Sequence, residues 1–290
     1  MDVFLIAVVI FLYSFQTLFC KLFTDKYPGR SELSSPVFCV LEGAFIFVFS
    51  FIWGGCKFAP SVFTVVMGLL NAGALFGYNT TLIAAGKKGS YAFMNVLMLF
   101  GGIIVPTIYG AVFLGEGFTL VKFIGISIML VACVLMNLEE MKMKNTPLVY
   151  YILCVMLFIF NGLYGTFVKI QTVYRENEKQ EMVMLTFGLM GLVALIQLMA
   201  KEKKDTFKAF KLNKKCALPL ALCLFSAAAA VNLLVLILPL VDTAVFYTVE
   251  NGGVLLLAAV YSVLFFKEKL STPKAIGVLL GIASITILSV

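Results

Sequence analysis

The sequence predicts an all-α integral membrane protein of about ten transmembrane helices, arranged as two inverted five-helix repeats. Three observations predict this fold: the composition, the number of long apolar segments and an internal repeat. The 290 residues are 62% hydrophobic and 13% charged, and the mean hydropathy is +1.05. Soluble domains are about half apolar and about a quarter charged. A water-soluble core could not bury this much apolar surface.

Ten apolar segments have the length of about 20 residues that a helix needs to cross the hydrocarbon layer. A helix also satisfies its own backbone groups in lipid. The first segment lacks a basic leading region and a small-residue cleavage site, so we predict a retained helix rather than a signal peptide. The predicted spans are residues 2–24, 36–54, 61–85, 90–114, 119–138, 147–169, 181–200, 217–238, 242–266 and 272–290.

A short charged connection, residues 139–146, divides the chain near its midpoint. Asn145 or Thr146 can cap a following helix whose first turn contains Pro147. We therefore predict two domains, residues 1–140 and residues 141–290.

The longest polar connection, residues 201–215, is basic but also contains Phe207 and Phe210. Basic and aromatic residues together are typical of a segment that lies on anionic headgroups. A solvated loop is the alternative, and the sequence favours neither.

The second half of the chain repeats the first at a shift of 152 positions, without a gap through a polar turn. Each copy contains five spans, so the second copy must enter the membrane from the opposite side. Inverted repeats can exchange two conformations around a central site, which gives a route to alternating access. The shift pairs Ala92 with Ala244, Gly101 with Gly253, Tyr109 with Tyr261, Phe113 with Phe265, Glu116 with Glu268, Lys122 with Lys274, Ile124 with Ile276 and Gly125 with Gly277, and a slightly different shift pairs Phe19 with Phe167 and Lys21 with Lys169.

Two equivalent turns carry a resemblance to a known family. They read Leu114-Gly115-Glu116 with Thr119, and Lys267-Glu268 with Ser271 and Thr272. This pattern resembles the drug/metabolite transporter superfamily, in particular its ten-helix EamA-like members. The resemblance implies a carrier of small organic solutes whose cavity is lined by the first four helices of each half. The fifth and tenth helices would be peripheral, where Gly277 and Gly281 would allow close packing.

The second span departs from the family pattern. Relatives commonly place Arg after an Ala-Leu pair, whereas this chain reads Val40-Leu41-Glu42. The sign of the intramembrane charge is therefore reversed.

Two acidic residues within the spans are the leading candidates for a substrate site, Glu42 and Glu250. An ionised side chain at mid-membrane costs about 3 kcal/mol, so it generally faces a cavity, a partner or water. Helical spacing places Tyr247 and Asn251 near Glu250, and tyrosine rings beside a carboxylate suit an organic cation. Either carboxylate could also couple transport to protons, by releasing a proton when a cation arrives. The alternative is a structural carboxylate, protonated or paired with lysine.

Other polar residues fall on the helices that the resemblance makes cavity-lining. Each of them could instead form a hydrogen bond between helices. They are Tyr13, Gln16, Asn71, Tyr78, Asn95, Asn161, Tyr164 and Asn232.

Several classes of function are disfavoured. The chain has no His, and its seven Cys are scattered without metal-ligand or redox spacing. We therefore expect no enzyme activity, no cofactor and no metal. Residues 86–90 resemble a phosphate loop only superficially, so no ATP binding is expected. The basic residues lie in short connections, which favours a lipid bilayer as partner and not nucleic acid.

The preferred hypothesis is a secondary transporter of a small organic cation or amine, with proton coupling as one option and sodium coupling as another. The first alternative is an exporter or exchanger of amino acids or other neutral or zwitterionic metabolites. The second is a passive channel. A monomer is one expectation for the oligomeric state.

The basic residues also predict an orientation. The odd-numbered connections contain 17 of the 22 Lys and Arg residues, and basic loops are retained in the cytoplasm. Both termini are then predicted outside, whereas relatives usually keep theirs in the cytoplasm.

Overall fold

The computed structural model describes residues 2–86, 88–141, 147–266 and 271–288, and within these ranges it is helical without a β-strand. Short 3-10 turns follow α5 and α8 and precede α7 and α8. The ten α-helices of the described ranges are α1 Asp2–Lys26, α2 Ser31–Trp53, α3 Val62–Gly86, α4 Tyr91–Phe113, α5 Leu120–Asn137, α6 Leu148–Tyr174, α7 Lys179–Glu202, α8 Lys214–Ile237, α9 Thr243–Phe266 and α10 Thr272–Leu288.

Nine of the described helices are long and apolar enough to cross a membrane, and α10 is a shorter apolar helix. The predicted all-α membrane fold is confirmed. Two boundaries differ by five residues from those predicted, because α2 begins at Ser31 and α6 ends at Tyr174. Hydropathy marks where the apolar stretch begins, whereas helical hydrogen bonds continue into the headgroup region.

Polar side chains fix where four of the helices begin. Ser90 Oγ accepts a hydrogen bond from Phe93 N at the start of α4, and Thr119 Oγ1 accepts one from Lys122 N at the start of α5. The carboxylate of Asp242 and the side-chain amide of Asn213 start α9 and α8 in the same way.

The chain forms two compact units, and each takes helices from both halves of the sequence. Apart from the first two residues, unit 1 consists of Val3–Gly73 and Gln171–Leu236, and unit 2 consists of Ala74–Ile170 and Ile237–Val290. Unit 1 therefore contains α1, α2, α7, nearly all of α8 and the first half of α3. The predicted domain boundary near residue 140 stays a prediction.

In unit 1, α2 and α7 pack closely and run antiparallel. A Cβ on Gly43 would lie 2.5 Å from Phe187 O and 2.8 Å from Gly191 Cα, so only glycine allows this approach. Leu33, near the start of α2, packs with Leu198, near the end of α7. Small residues permit such close helix contacts in membranes.

In unit 2, α5 and α10 form a second antiparallel pair. Ser284 Oγ donates to Gly125 O at 2.7 Å. At the other end, a Cβ on Gly277 would lie 2.6 Å from Met136 Cγ. Gly281 faces Leu256 of α9. The two glycines predicted to let the tenth helix pack closely therefore meet different neighbours.

A third antiparallel pair, α4 and α9, passes through the core of unit 2. Gly110 lies beside Thr243, and Gly102 lies beside Asn251. The pairs α2 with α7, α4 with α9 and α5 with α10 are equivalent helices of the predicted repeat. An inverted repeat requires equivalent helices to run antiparallel, as they do in these three pairs.

Candidate functional site

Glu250 lies on the second turn of α9 and is half-buried within unit 2. Its Oε2 accepts a hydrogen bond from Asn251 Nδ2 at 2.7 Å. The ion pairs Lys122–Asp242, Lys169–Glu116 and Lys179–Glu176 do not involve Glu250, and no Lys or Arg of the described ranges pairs with it. The neighbour of this carboxylate is a neutral amide.

Two side-chain amides from different helices meet at Gly102 of α4. A Cβ at this position would lie 2.6 Å from Asn161 Nδ2 of α6 and 3.1 Å from Asn251 Oδ1 of α9. Asn161 Nδ2 donates to Met98 O at 2.8 Å, and Asn251 Nδ2 donates to Tyr247 O at 2.9 Å. The missing side chain of Gly102 thus makes room for both amides. Asn161 connects α6 to α4, whereas the hydrogen bonds of Asn251 lie within α9.

Three of the predicted tyrosines also lie in unit 2. Tyr247 is buried, and its hydroxyl donates to Gly165 O at 2.6 Å. Tyr78 donates to Met98 Sδ at 3.0 Å, and Tyr164 lies near Tyr247. The hydroxyls of Tyr247 and Tyr78 therefore connect helices, which for Tyr78 is the alternative that the sequence left open.

Unit 1 contains the second predicted carboxylate. Glu42 of α2 is 6% exposed, and its Oε1 accepts a hydrogen bond from Gln16 Nε2 of α1 at 3.0 Å. Cys223 Sγ of α8 donates to Gln16 O at 3.3 Å, which brings a third helix to the pair. Tyr13 is half-buried one turn before Gln16. No Lys or Arg in the described ranges forms an ion pair with Glu42.

The ten predicted site residues therefore divide between the units. Unit 1 contains the hydrogen-bonded pair Gln16 and Glu42, and Tyr13 lies on α1 with Gln16. Unit 2 holds the others, and Asn251 forms hydrogen bonds with two of them, Tyr247 and Glu250. Asn95 is half-buried on α4 and forms no hydrogen bond to the other nine among the bonds of the described residues. In the same ranges, no three Cys, Asp or Glu side chains converge as metal ligands would.

Asn71 and Asn232, also predicted as cavity residues, are fully buried helix bridges in unit 1. Asn71 Nδ2 donates to Thr186 Oγ1 at 3.3 Å, and Asn232 Nδ2 donates to Ser50 Oγ at 2.9 Å. These bonds join α3 to α7 and α8 to α2. The Nδ2 atoms of both residues are therefore structural, whereas their Oδ1 atoms are buried without a hydrogen-bond partner among the described residues.

Unit 2 contains a buried ion pair that was not predicted from the sequence. Lys169 is 2% exposed, and its Nζ lies 3.2 Å from Glu116 Oε1 and donates to Leu238 O and Val241 O, both at 2.9 Å. Glu116 also accepts from Thr243 Oγ1 at 2.6 Å. These contacts tie α6 and the α4–α5 turn to the α8–α9 turn.

The position of Lys169 corrects the sequence-based charge count. Lys169 was counted as part of a connection, but it lies inside α6, which continues to Tyr174, and Glu116 neutralises it. The one available signal was its equivalence to Lys21 in the repeat. Glu116 has a structural role through these contacts, whereas Lys267 and Glu268 of the equivalent turn lie outside the described residues.

These features define a class of protein. Apolar helices cross the membrane repeatedly, and polar side chains gather inside the helix bundles of both units. This combination is typical of a multi-pass membrane transport protein.

The comparisons give the family. The model of the EamA-like transporter family matches residues 148–290, and this half of the chain belongs to it. The resemblance to the drug/metabolite transporter superfamily is confirmed. The chain is thus a multi-pass membrane protein, and the matched family transports small solutes and is not a family of enzymes.

Solved structures share the fold, and 28 chains of known structure match. A crystal structure among them superposes with a TM-score of 0.73 over 100% of this chain and 98% of that chain, at 13% sequence identity. That similarity shows the fold alone. No protein with a curated description matches the sequence.

Proposed function

We propose that this chain is a secondary active transporter of a small organic cation or amine. The observation that carries the proposal is Glu250, a carboxylate among amide and tyrosine side chains that has no basic partner in the described ranges. An ionised acid within a membrane protein is expensive unless a cation or water compensates for it. A cationic substrate would supply the missing charge.

The neighbours of Glu250 suit an amine. Asn251 Oδ1 can accept a hydrogen bond from a substrate N–H, while Asn251 Nδ2 holds Glu250. Because the Tyr247 hydroxyl is already bonded to Gly165, its contribution to a cation would come from the ring. Selectivity for charge would then depend on Glu250, and selectivity for shape on the amides.

Glu42 is the second candidate for cation binding and proton coupling. It is more buried than Glu250, and the amide of Gln16 is its hydrogen-bond partner. A carboxylate in such surroundings can hold a proton until a cation displaces it. Coupling of this kind would make transport of the cation depend on the proton gradient.

Alternating access is the proposed mechanism. The antiparallel packing of equivalent helices supports it, because an inverted repeat allows each half to adopt the conformation of the other. Amino acids and other neutral or zwitterionic metabolites are the rival substrates, since the amides of Asn161 and Asn251 bind uncharged groups equally well. A passive channel is the rival mechanism. Saturable flux with trans-stimulation would support the carrier, and linear, fast flux would support the channel.

The proposal is tested with purified protein, first by thermal stabilisation with a panel of alkylamines, quaternary ammonium ions and amino acids. The best ligand is then titrated against Glu250→Gln, with exposed Glu139→Gln as the matched control. We expect Glu250→Gln to weaken cation binding at least about tenfold, the effect of about 1.4 kcal/mol, and Glu139→Gln to bind normally. Unchanged affinity and pH response in Glu250→Gln would refute the assignment.

A further inference from the structure

Two connections of unit 1 contain the entire net charge of the chain. Residues 21–30 and 201–215 hold ten of the 22 basic residues and three of the 15 acidic residues. Their formal charge is therefore +7, which equals the net charge of the whole chain. The remaining sequence contains twelve residues of each sign, so it is neutral.

The structure brings these two connections together. Tyr27, in the α1–α2 connection, donates its hydroxyl hydrogen to Ala209 O in the α7–α8 connection at 2.7 Å. Ala209 is buried against Leu33 and Leu198, and Phe210 packs on the same cluster. Phe210 therefore anchors the connection to the protein. The side chain of Phe207 lies outside the described residues.

Six lysines of the joined connections that lie at the ends of spans are exposed. They lie where three spans end or begin, because α1 ends at Lys26, the apolar span of α7 ends at Lys201, and α8 begins at Lys214. Phospholipid headgroups occupy this level of the membrane. We call this surface the basic platform, and its exposed members are Lys26, Lys201, Lys208, Lys211, Lys214 and Lys215.

Folding does not explain all of these charges. Lys214 and Lys215 lie in the first turn of α8, which contains no acidic residue. A cation is unfavourable at the N-terminus of a helix, where the backbone N–H groups are already positive. Asn213 caps this helix through a hydrogen bond from Cys216 N to Oδ1 at 2.9 Å. Lys214 and Lys215 therefore oppose the helix dipole without capping the helix, and an anion bound nearby would offset that cost.

We propose that the basic platform binds the headgroups of anionic phospholipids. Each lysine close to an anionic surface strengthens the attraction by about 1 kcal/mol, which is about fivefold in affinity. Because the platform is folded against α1, α2 and α7, its charges are held at the membrane surface. The attraction is electrostatic between exposed groups, so it weakens as salt is added.

The experiment uses the full chain reconstituted in phosphatidylcholine vesicles with trace spin-labelled phosphatidylglycerol or spin-labelled phosphatidylcholine. Electron spin resonance measures the association of each probe with the protein. The test variant is Lys211→Gln/Lys214→Gln/Lys215→Gln. Its matched control removes three exposed positive charges elsewhere, in Lys57→Gln/Lys88→Gln/Arg175→Gln.

For the native chain we expect a preference of about fivefold or more for phosphatidylglycerol over phosphatidylcholine. The preference should be smaller in 0.5 M salt, because the Debye length is then only about 4 Å. The test variant should lose most of the preference and the control variant should keep it. A test variant that keeps the native preference, or a control variant that loses as much, would overturn the proposal.

Two further experiments distinguish an effect of charge from an effect on folding, and a lipid site from a site for a soluble anion. The variant Lys211→Arg/Lys214→Arg/Lys215→Arg keeps the charge, and we expect it to keep the preference. Loss in this variant would show that charge is not the cause. Inorganic phosphate at a few millimolar should leave the preference intact. If phosphate abolishes it at constant ionic strength, the platform is a site for a soluble anion and the lipid proposal is wrong.

Discussion

Adding one methyl group at Gly102 should disturb the candidate site of unit 2 selectively. In Gly102→Ala, the new Cβ would lie 2.6 Å from Asn161 Nδ2 and 3.1 Å from Asn251 Oδ1. Uncrowded contacts begin at about 3.4 Å, so the amide of Asn161 has to move by about 0.8 Å. Its hydrogen bond to Met98 O, now 2.8 Å long, is the bond that such a movement breaks or stretches.

The expected magnitude follows from the bonds affected. A side-chain hydrogen bond between membrane helices contributes about 0.6 to 1.7 kcal/mol, and a moderate steric clash in a packed core costs about 1 to 3 kcal/mol. Replacement of Gly by Ala within a helix stabilises the folded state by about 0.5 to 1 kcal/mol. We therefore expect Gly102→Ala to be destabilised by about 1 to 3 kcal/mol, and cation binding to weaken by about tenfold because Asn251 supports Glu250.

Two other glycines calibrate the measurement. Nothing lies within 4 Å of a Cβ on Gly73, so Gly73→Ala should bind and unfold like the native chain. A Cβ on Gly101 would overlap the backbone carbonyl of Phe158, so Gly101→Ala should separate α4 from α6 and unfold most easily. Thermal unfolding and amine titration of the three variants give the order. The reasoning is wrong if Gly102→Ala binds the amine as tightly as Gly73→Ala does.

Three other predictions follow from the same contacts. Glu42→Gln should reduce the pH dependence of uptake in proteoliposomes, and an unaltered pH profile would exclude Glu42 from coupling. Glu116→Gln leaves Lys169 buried without a counter-charge, so we expect a loss of about 3 kcal/mol of stability, and the double variant with Lys169→Met should regain part of it. If removing both costs as much as removing one, the ion pair is not the cause. We propose that the odd-numbered connections are cytoplasmic and the termini outside. A cysteine placed at Lys211 in a cysteine-free variant should therefore resist an impermeant thiol reagent added to intact cells. Rapid labelling would establish the opposite orientation.

The fold was predictable because the bilayer simplifies the problem. Lipid demands apolar segments of sufficient length, and ten such segments mark the helices from α1 to α10. The hydrogen bond between Gln16 and Glu42 could be anticipated for the same reason. Two polar side chains on neighbouring spans form a hydrogen bond because lipid offers them no partner. Periodicity and hydropathy suffice for contacts of this kind.

Lys169 shows where sequence reasoning fails. Hydropathy predicts that a lysine at the end of an apolar span is an exposed loop residue, because it takes account of the charge and not of the partners. Its partners are Glu116, 53 positions earlier, and the carbonyls of Leu238 and Val241, about seventy positions later. Phe210 was ambiguous for a related reason, because an aromatic residue in a basic connection can bury itself in lipid or in protein. Only the folded chain decides between the two.

Hydrogen-bond saturation separates structural polar residues from candidate ligand residues more sharply than residue type does. In a membrane, a polar group has to be satisfied by the protein, by water or by a ligand. The hydroxyl of Tyr247 and the Nδ2 atoms of Asn161 and Asn232 already bind protein atoms, so these donors hold helices together. A carboxylate differs because one amide satisfies part of its hydrogen-bonding capacity and none of its charge. By this criterion Glu250 and Glu42 remain the residues whose chemistry most requires a cation or a proton from outside the chain.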